Sequence, residues 1–291
     1  MSPTAEHPSR GLVRKTLRPP GGSGLTLRLG VRSPSANSPC LLLLHGTGSS
    51  HESFAPLWDR LPTDYGLVIP DLPGHGESAF DRSPIPAFGL KEVADWLSWA
   101  LEALDLHPTL VIGHSAGAAA GLVLTIRQPR LPLVGLAPSL VPPPALYTHL
   151  LGPWMGPLIR SLPSLALGHW LTGHPAVIHQ LLDSTGSRLP QSQQLIYERL
   201  FKSRSHLEGT LSFMAGTELA DLLADERLSE VECLRLIAAR DDRWIAEGPL
   251  SRLVQRALPQ AQVQWLPSGG HLFHEVDPTA VLACLASLIR P

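Results

Sequence analysis

A chain of 291 residues can hold one large α/β domain with an insertion or two ordinary domains, and 44% hydrophobic with 16% charged residues supports a buried core rather than disorder. Its formal net charge of -2, from 23 basic and 25 acidic residues, gives no electrostatic reason to expect nucleic acid, whose binding needs a basic surface. The 3 cysteines, Cys40, Cys233 and Cys284, sit in apolar stretches without metal-ligand or disulfide spacing, which fits a reducing cytoplasm.

From the N-terminus, Met1 to Pro20 mixes Arg14, Lys15 and Arg18 with prolines and has no apolar run of secretory length, so export is not expected. Leu25 to Val31 and Cys40 to Leu44 read as strands, the second so continuously apolar that both its faces must be covered. Further strands are expected at Leu67 to Pro70, Leu110 to Ile112, Leu133 to Ala137, Leu234 to Ala238 and Val263 to Leu266, each followed by a glycine, proline or polar break. Between them, Phe88 to Leu106 places Leu90, Val93, Ala94, Leu97, Leu101 and Leu104 at helical spacing, and Asp277 to Ile289 closes the chain similarly. Short strands alternating with longer helices predict a mostly parallel sheet flanked by helices.

From Leu131 to Thr172 the chain carries no Lys, Arg, Asp or Glu except Arg160, yet prolines break it repeatedly. A bilayer span needs roughly 20 uninterrupted residues. Because the longest proline-free piece here runs only from Ser164 to His174, no transmembrane segment is expected. The chain is therefore divided into a core, 1–137 and 229–291, and a mainly helical cap, 138–228.

The strongest chemical signal is Leu110-Val-Ile-Gly-His-Ser-Ala-Gly117, an apolar strand running through G-x-S-x-G into a helical pattern. Such a turn is so sharp that Gly113 and Gly117 stand where side chains would clash, and it lifts the Ser115 hydroxyl above the strand ends. A serine hydroxyl needs an adjacent base to become a nucleophile. That base should follow the last strand, where Pro267-Ser-Gly-Gly-His271 offers His271 on a glycine-rich loop, with His274 as competitor. The acid that orients the imidazole should follow an earlier strand. Asp241 and Asp242 both follow Leu234 to Ala238; Asp242 is selected for its position in the loop, with Asp241 kept open. No Asp or Glu lies between Leu131 and Leu182, so an acid after the preceding strand is ruled out.

Donors for a developing oxyanion are expected from the backbone N–H groups of Thr47, in His45-Gly-Thr-Gly48, and of Ala116. His45 reads as a loop-fixing hydrogen bonder, His114 as the variable position of the elbow, and Pro70 to Ser78 as a structural turn with no evident partner for its acids. No metal site is expected from the histidine spacing, and no cofactor is invoked.

Taken together, His45 to Gly48, Asp71 to Ser78, Gly113 to Gly117 and Gly270 to His271 resemble the α/β-hydrolase superfamily over nearly the whole chain. The implied fold is the α/β-hydrolase fold, with the cap inserted after strand six. More narrowly, Leu41 to Ser49, Pro70 to Gly76, Gly113 to Ala119, Ser184-Thr-Gly-Ser187 and Tyr197-Glu-Arg-Leu200 resemble the α/β hydrolases of bacteriochlorophyll biosynthesis known as magnesium chelatase accessory proteins. That resemblance implies a role at or near magnesium insertion and association with magnesium chelatase; it does not supply the small apolar substrate, for which a tetrapyrrole is the candidate, and a location peripheral to the membrane stays open. The residues favour a serine hydrolase acting on an ester, amide or thioester of a bulky apolar molecule. A noncatalytic tetrapyrrole-binding or chelatase-assisting protein, a general carboxylesterase, and carbon-carbon hydrolysis or cofactor-free peroxidation on the same scaffold stay open.

Overall fold

The computed structural model describes residues 11–35, 38–141 and 162–289. The first ten residues and the proline-rich start of the expected cap lie outside them. Eight strands, β1 (Val13–Leu17), β2 (Leu25–Arg32), β3 (Cys40–Leu44), β4 (Gly66–Pro70), β5 (Leu110–His114), β6 (Leu133–Leu136), β7 (Leu234–Ala239) and β8 (Gln262–Leu266), form one sheet. Their order is β1-β2-β4-β3-β5-β6-β7-β8, and the two-residue strand Ala79–Phe80 pairs with β2. β2 runs antiparallel to β1 and β4, and from β4 to β8 every pairing is parallel.

Both faces of the sheet are covered, which is why β3 is apolar at every position. Leu42 and Leu44 pack into a core with Val93 and Leu97 of α1 (Leu90–Ala103) and Leu122 of α2 (Ala116–Arg127). Leu41 and Leu43 face the other way, into a core with Phe54, Leu57 and Phe273 and with Val281 and Leu285 of the C-terminal helix Pro278–Leu285. Strand β1 was not anticipated: Val13 to Thr16 are exposed on the sheet edge and carry no alternation of buried and solvent-facing types. The two expected flanking helices are shorter than their apolar pattern, ending at Ala103 rather than Leu106 and at Leu285 rather than Ile289.

Between β6 and β7 the chain leaves the sheet. The described part of this excursion contains α3 (Leu162–Thr172), α4 (Pro175–Ser184), α5 (Gln191–Phe201), α6 (Arg204–Gly216) and α7 (Leu219–Leu223). Ile178, Leu182, Tyr197, Phe201 and Leu207 form a small core of their own that reaches Leu272, next to His271. Helix α6 docks on the β4 loop by backbone-to-backbone contact, since a Cβ on Gly209 would lie 2.1 Å from the Gly74 carbonyl oxygen. Among the described residues no helix is long and apolar enough to cross a membrane.

Because neither backbone at this contact can yield, Gly209→Ala should destabilise the chain by about 1–3 kcal/mol, the usual cost of overpacking. A thermal or urea melt equal to that of the parent protein would rule out the close approach.

Candidate active site

Ser115 sits between β5 and α2 at φ 52, ψ -116, a conformation disfavoured for residues with a side chain. The surroundings leave it no alternative. A Cβ on Gly113 would lie 2.5 Å from the Gly117 carbonyl oxygen, and one on Gly117 would lie 2.2 Å from the carbonyl oxygen of Leu44. The strand, turn and helix therefore fit together only with hydrogen at those two positions. The turn is held by the Ser115 amide donating to Leu136 at 2.9 Å, while the Ser115 carbonyl accepts from Ser139 at 3.1 Å.

Three side chains from three separate loops meet here. His271 Nε2 lies 3.0 Å from Ser115 Oγ, and His271 Nδ1 lies 2.9 Å from Asp242 Oδ2. Asp242 and the imidazole are buried, and the other carboxylate oxygen accepts from the amides of Trp244 at 2.7 Å and Ile245 at 2.9 Å. A carboxylate so held accepts the Nδ1 proton, which leaves the Nε2 lone pair directed at the serine hydroxyl. Asp241 is turned away from the imidazole ring: it accepts from the amides of Gly269 at 3.1 Å and Gly270 at 2.9 Å.

The His45–Gly48 loop abuts Ser115, with a Cβ on Gly46 falling 3.0 Å from the Ser115 Cβ. His45 accepts from the Leu72 amide through Nε2 at 2.9 Å and donates from Nδ1 to the Gly46 carbonyl at 2.8 Å, which locks that loop to the end of β4. Among the described residues, neither the Thr47 nor the Ala116 amide has a hydrogen-bond acceptor. Asp71 does have a partner, contrary to expectation. It accepts from the His51 amide and ring, each at 2.8 Å, and from the Glu77 amide. Burial alone would raise the Asp71 carboxyl, but the neighbouring His51 outweighs it and holds the group well below the usual carboxylate range.

His274 does not face Ser115. It lies in the short helix Phe273–Val276, fully buried, with its ring 4.2 Å from that of His114 and 5.3 Å from Phe54. His114 donates from Nε2 to the His271 carbonyl at 3.0 Å, tying β5 to the loop after β8. Burial lowers both rings, His274 to about 3 and His114 well below its ordinary value. Beside His274, burial pushes Glu275 up to about 8, so the 3.9 Å approach of the two is one of neutral groups rather than an ion pair. Tyr197 on α5 donates to Glu275 at 2.6 Å and lies 3.2 Å from Ser49. Burial likewise lowers His45 to about 3, His75 to about 4 and His206 to about 3. Among the described residues no group of three or more His, Cys, Asp or Glu is arranged to hold a metal ion.

A family model described as the alpha/beta hydrolase family matches residues 41–283. The chain is 36% identical over 249 residues to the magnesium-chelatase 30 kDa subunit of Rhodobacter capsulatus, covering 83% of each chain. It is 27% identical to RutD of Klebsiella pneumoniae subsp. pneumoniae, a protein named for carbamate hydrolysis, over 86% of this chain and 91% of that one. Among solved structures, a thermophilic esterase from Thermogutta terrifontis superposes with TM-score 0.68 at 17% identity, covering 96% of this chain and 98% of that one. A hydrolase from Pseudomonas aeruginosa gives 0.69 at 18% identity with the same coverage. At such identities the structural likeness concerns the fold alone.

The five lowered histidines make stability depend on pH with a definite sign. In each, the folded-state value lies below the unfolded value of 6.5. Their contribution is therefore complete above pH 6.5 and is lost as the pH falls toward the folded values, by up to ~1.4 kcal/mol per group per pH unit. His51, raised, and Glu275, raised, act in the opposite direction but are outnumbered. Urea unfolding at pH 7.5, 6.5 and 5.5 should show the unfolding free energy dropping with acid; a flat or rising profile would contradict neutral burial of these rings.

Proposed function

The chain belongs to the alpha/beta hydrolase family and is a hydrolase of the α/β fold; from that premise we propose a serine hydrolase that cleaves an ester, amide or thioester of a bulky apolar substrate. In this reading Ser115 is the nucleophile, His271 the general base and Asp242 the acid that orients it. The observation that carries it is the pair of contacts from one imidazole, 3.0 Å to the hydroxyl and 2.9 Å to the carboxylate. As Ser115 Oγ bonds to the substrate carbonyl carbon, His271 Nε2 takes the hydroxyl proton and Asp242 stabilises the imidazolium. The proton then passes to the leaving group, and water, activated by the same imidazole, hydrolyses the acyl-enzyme.

The amides of Thr47 and Ala116 are assigned to the oxyanion. Both lack an acceptor among the described residues, and Ala116 opens α2, whose N-terminal end favours negative charge. Residues 138–228 are assigned as a cap on a core of 1–137 and 229–291. The stretch from Leu131 to Thr172, uncharged apart from Arg160, supports an apolar substrate. A tetrapyrrole substrate, a place near magnesium insertion, association with magnesium chelatase and a cytoplasmic, membrane-peripheral location are part of the proposal. The chelatase association is supported by the 36% identity to a protein named as a magnesium-chelatase subunit, the tetrapyrrole and the place near magnesium insertion extend that likeness, and the cytoplasmic location is supported by three cysteines without disulfide spacing. The same name favours a second reading, a noncatalytic accessory protein that keeps the three side chains by descent.

A fluorophosphonate probe distinguishes the two. Under the first reading the wild-type chain is labelled, Ser115→Ala is not, and Asp242→Asn reacts roughly 10²–10⁴-fold more slowly. A wild-type chain that stays unlabelled would sink the hydrolase reading and favour the accessory one.

A further inference from the structure

The loop that carries His271 is anchored at four consecutive amides. Gly269 and Gly270 donate to the two oxygens of Asp241, at 3.1 and 2.9 Å. The amide of His271 itself donates to the Thr185 carbonyl at 3.1 Å, and the next amide, Leu272, donates to Ser187 Oγ at 2.8 Å. Thr185 and Ser187 are buried, and they belong to the excursion between β6 and β7, at the C-terminal end of α4. Half of these amide anchors therefore come from outside the sheet-forming part of the chain.

This segment has little freedom of its own. Thr185 Oγ1 donates to the Leu182 carbonyl at 2.6 Å and accepts from the Ser187 amide at 3.1 Å, so the turn is built onto the last residues of α4. Gly186, at φ 81, is wedged between the two catalytic loops: its Cβ would lie 2.6 Å from the Asp241 carbonyl oxygen, and a Cβ on Gly270 would lie 2.4 Å from Gly186 in turn. The Arg243 amide, next to Asp242, also donates to Thr185, at 3.4 Å. Trp244 Nε1 donates to Ser184 Oγ at 3.3 Å, and its ring lies 5.1 Å from the imidazole. One four-residue turn thus touches the loop of the acid and the loop of the base at once.

We propose that Ser184–Ser187 is a positioning element for His271, with Ser187 its decisive side chain and Asp241 its counterpart on the sheet side. The inference rests on the assignment of His271 as general base. It adds that the excursion contributes to the chemical step by holding the imidazole, as well as by whatever it does to the substrate. Misplacement of a catalytic group by an ångström can cost about 10²-fold in rate. Removal of one of four anchors should therefore cost about tenfold.

The test compares Ser187→Ala with Ser187→Thr in the full chain, by the rate of fluorophosphonate labelling and by the far-downfield imidazole Nδ1 proton resonance of His271, assigned with His271→Ala. Ser187→Ala should label about tenfold more slowly and broaden or shift the resonance, while Ser187→Thr, which keeps the hydroxyl, should restore both. Asp241→Asn, a change at an exposed residue that does not threaten folding, should give a smaller loss of the same kind. Wild-type labelling rate and an unchanged resonance in Ser187→Ala and Asp241→Asn would overturn the proposal. If the wild type takes no label but the resonance is present and is lost in Ser187→Ala, the hydrolase reading fails while the positioning role stands.

Discussion

The imidazole of His271 has to satisfy two partners that follow different strands of the sheet, β5 and β7. One is a hydroxyl raised on a backbone conformation that side chains disfavour, the other a buried carboxylate already committed to two amides. A ring in that position tolerates little drift, because a shift that improves one contact lengthens the other. Much of the surrounding structure follows from that requirement. Gly113 and Gly117 let the hydroxyl rise, Asp242 is fixed by the turn that follows β7, and the loop after β8 is pinned amide by amide.

Behind the ring lies a layer of polar groups that the low dielectric keeps uncharged. His114 gives one proton to the His271 carbonyl, and His274 and Glu275 sit beyond it as neutral neighbours. A second group of histidines, His45, His75 and His206, bridges the loops after β3 and β4 to helix α6, with His206 accepting from the Gly76 amide and donating to the Gly48 carbonyl. Buried polar groups of this kind rigidify a site when they are bonded, and their neutrality avoids the much larger cost of burying charge.

How far the chain could be read from sequence depends on whether a feature is local. Central strands such as β3 are continuous apolar runs because both faces are covered, and the elbow is a contiguous signature in which the glycines announce the turn. The edge strand β1 has neither property. Ser115, His271 and Asp242 could be singled out because each occupies a stereotyped place after a strand. The supports of His271 could not: Ser187 and Leu272 are 85 residues apart, and His114 and His271 are 157 apart. The pairing of Asp71 with His51 escaped notice for the same reason, and so did that of Tyr197 with Glu275, since no periodicity encodes a contact between distant loops.

The turn at Ser184–Ser187 also bears on how such chains can diversify. By sequence it is part of the insertion; by bonding it is part of the frame that the sheet provides. Exchanging the whole insertion with that of a relative would remove two of the four amide anchors of the His271 loop together with the intended surface. Changes confined to the outward faces of α3, α4 and α5 would leave those anchors in place. Selection for new substrates therefore has a permissive exterior to work on and a seam near Gly186 where almost nothing can be altered alone.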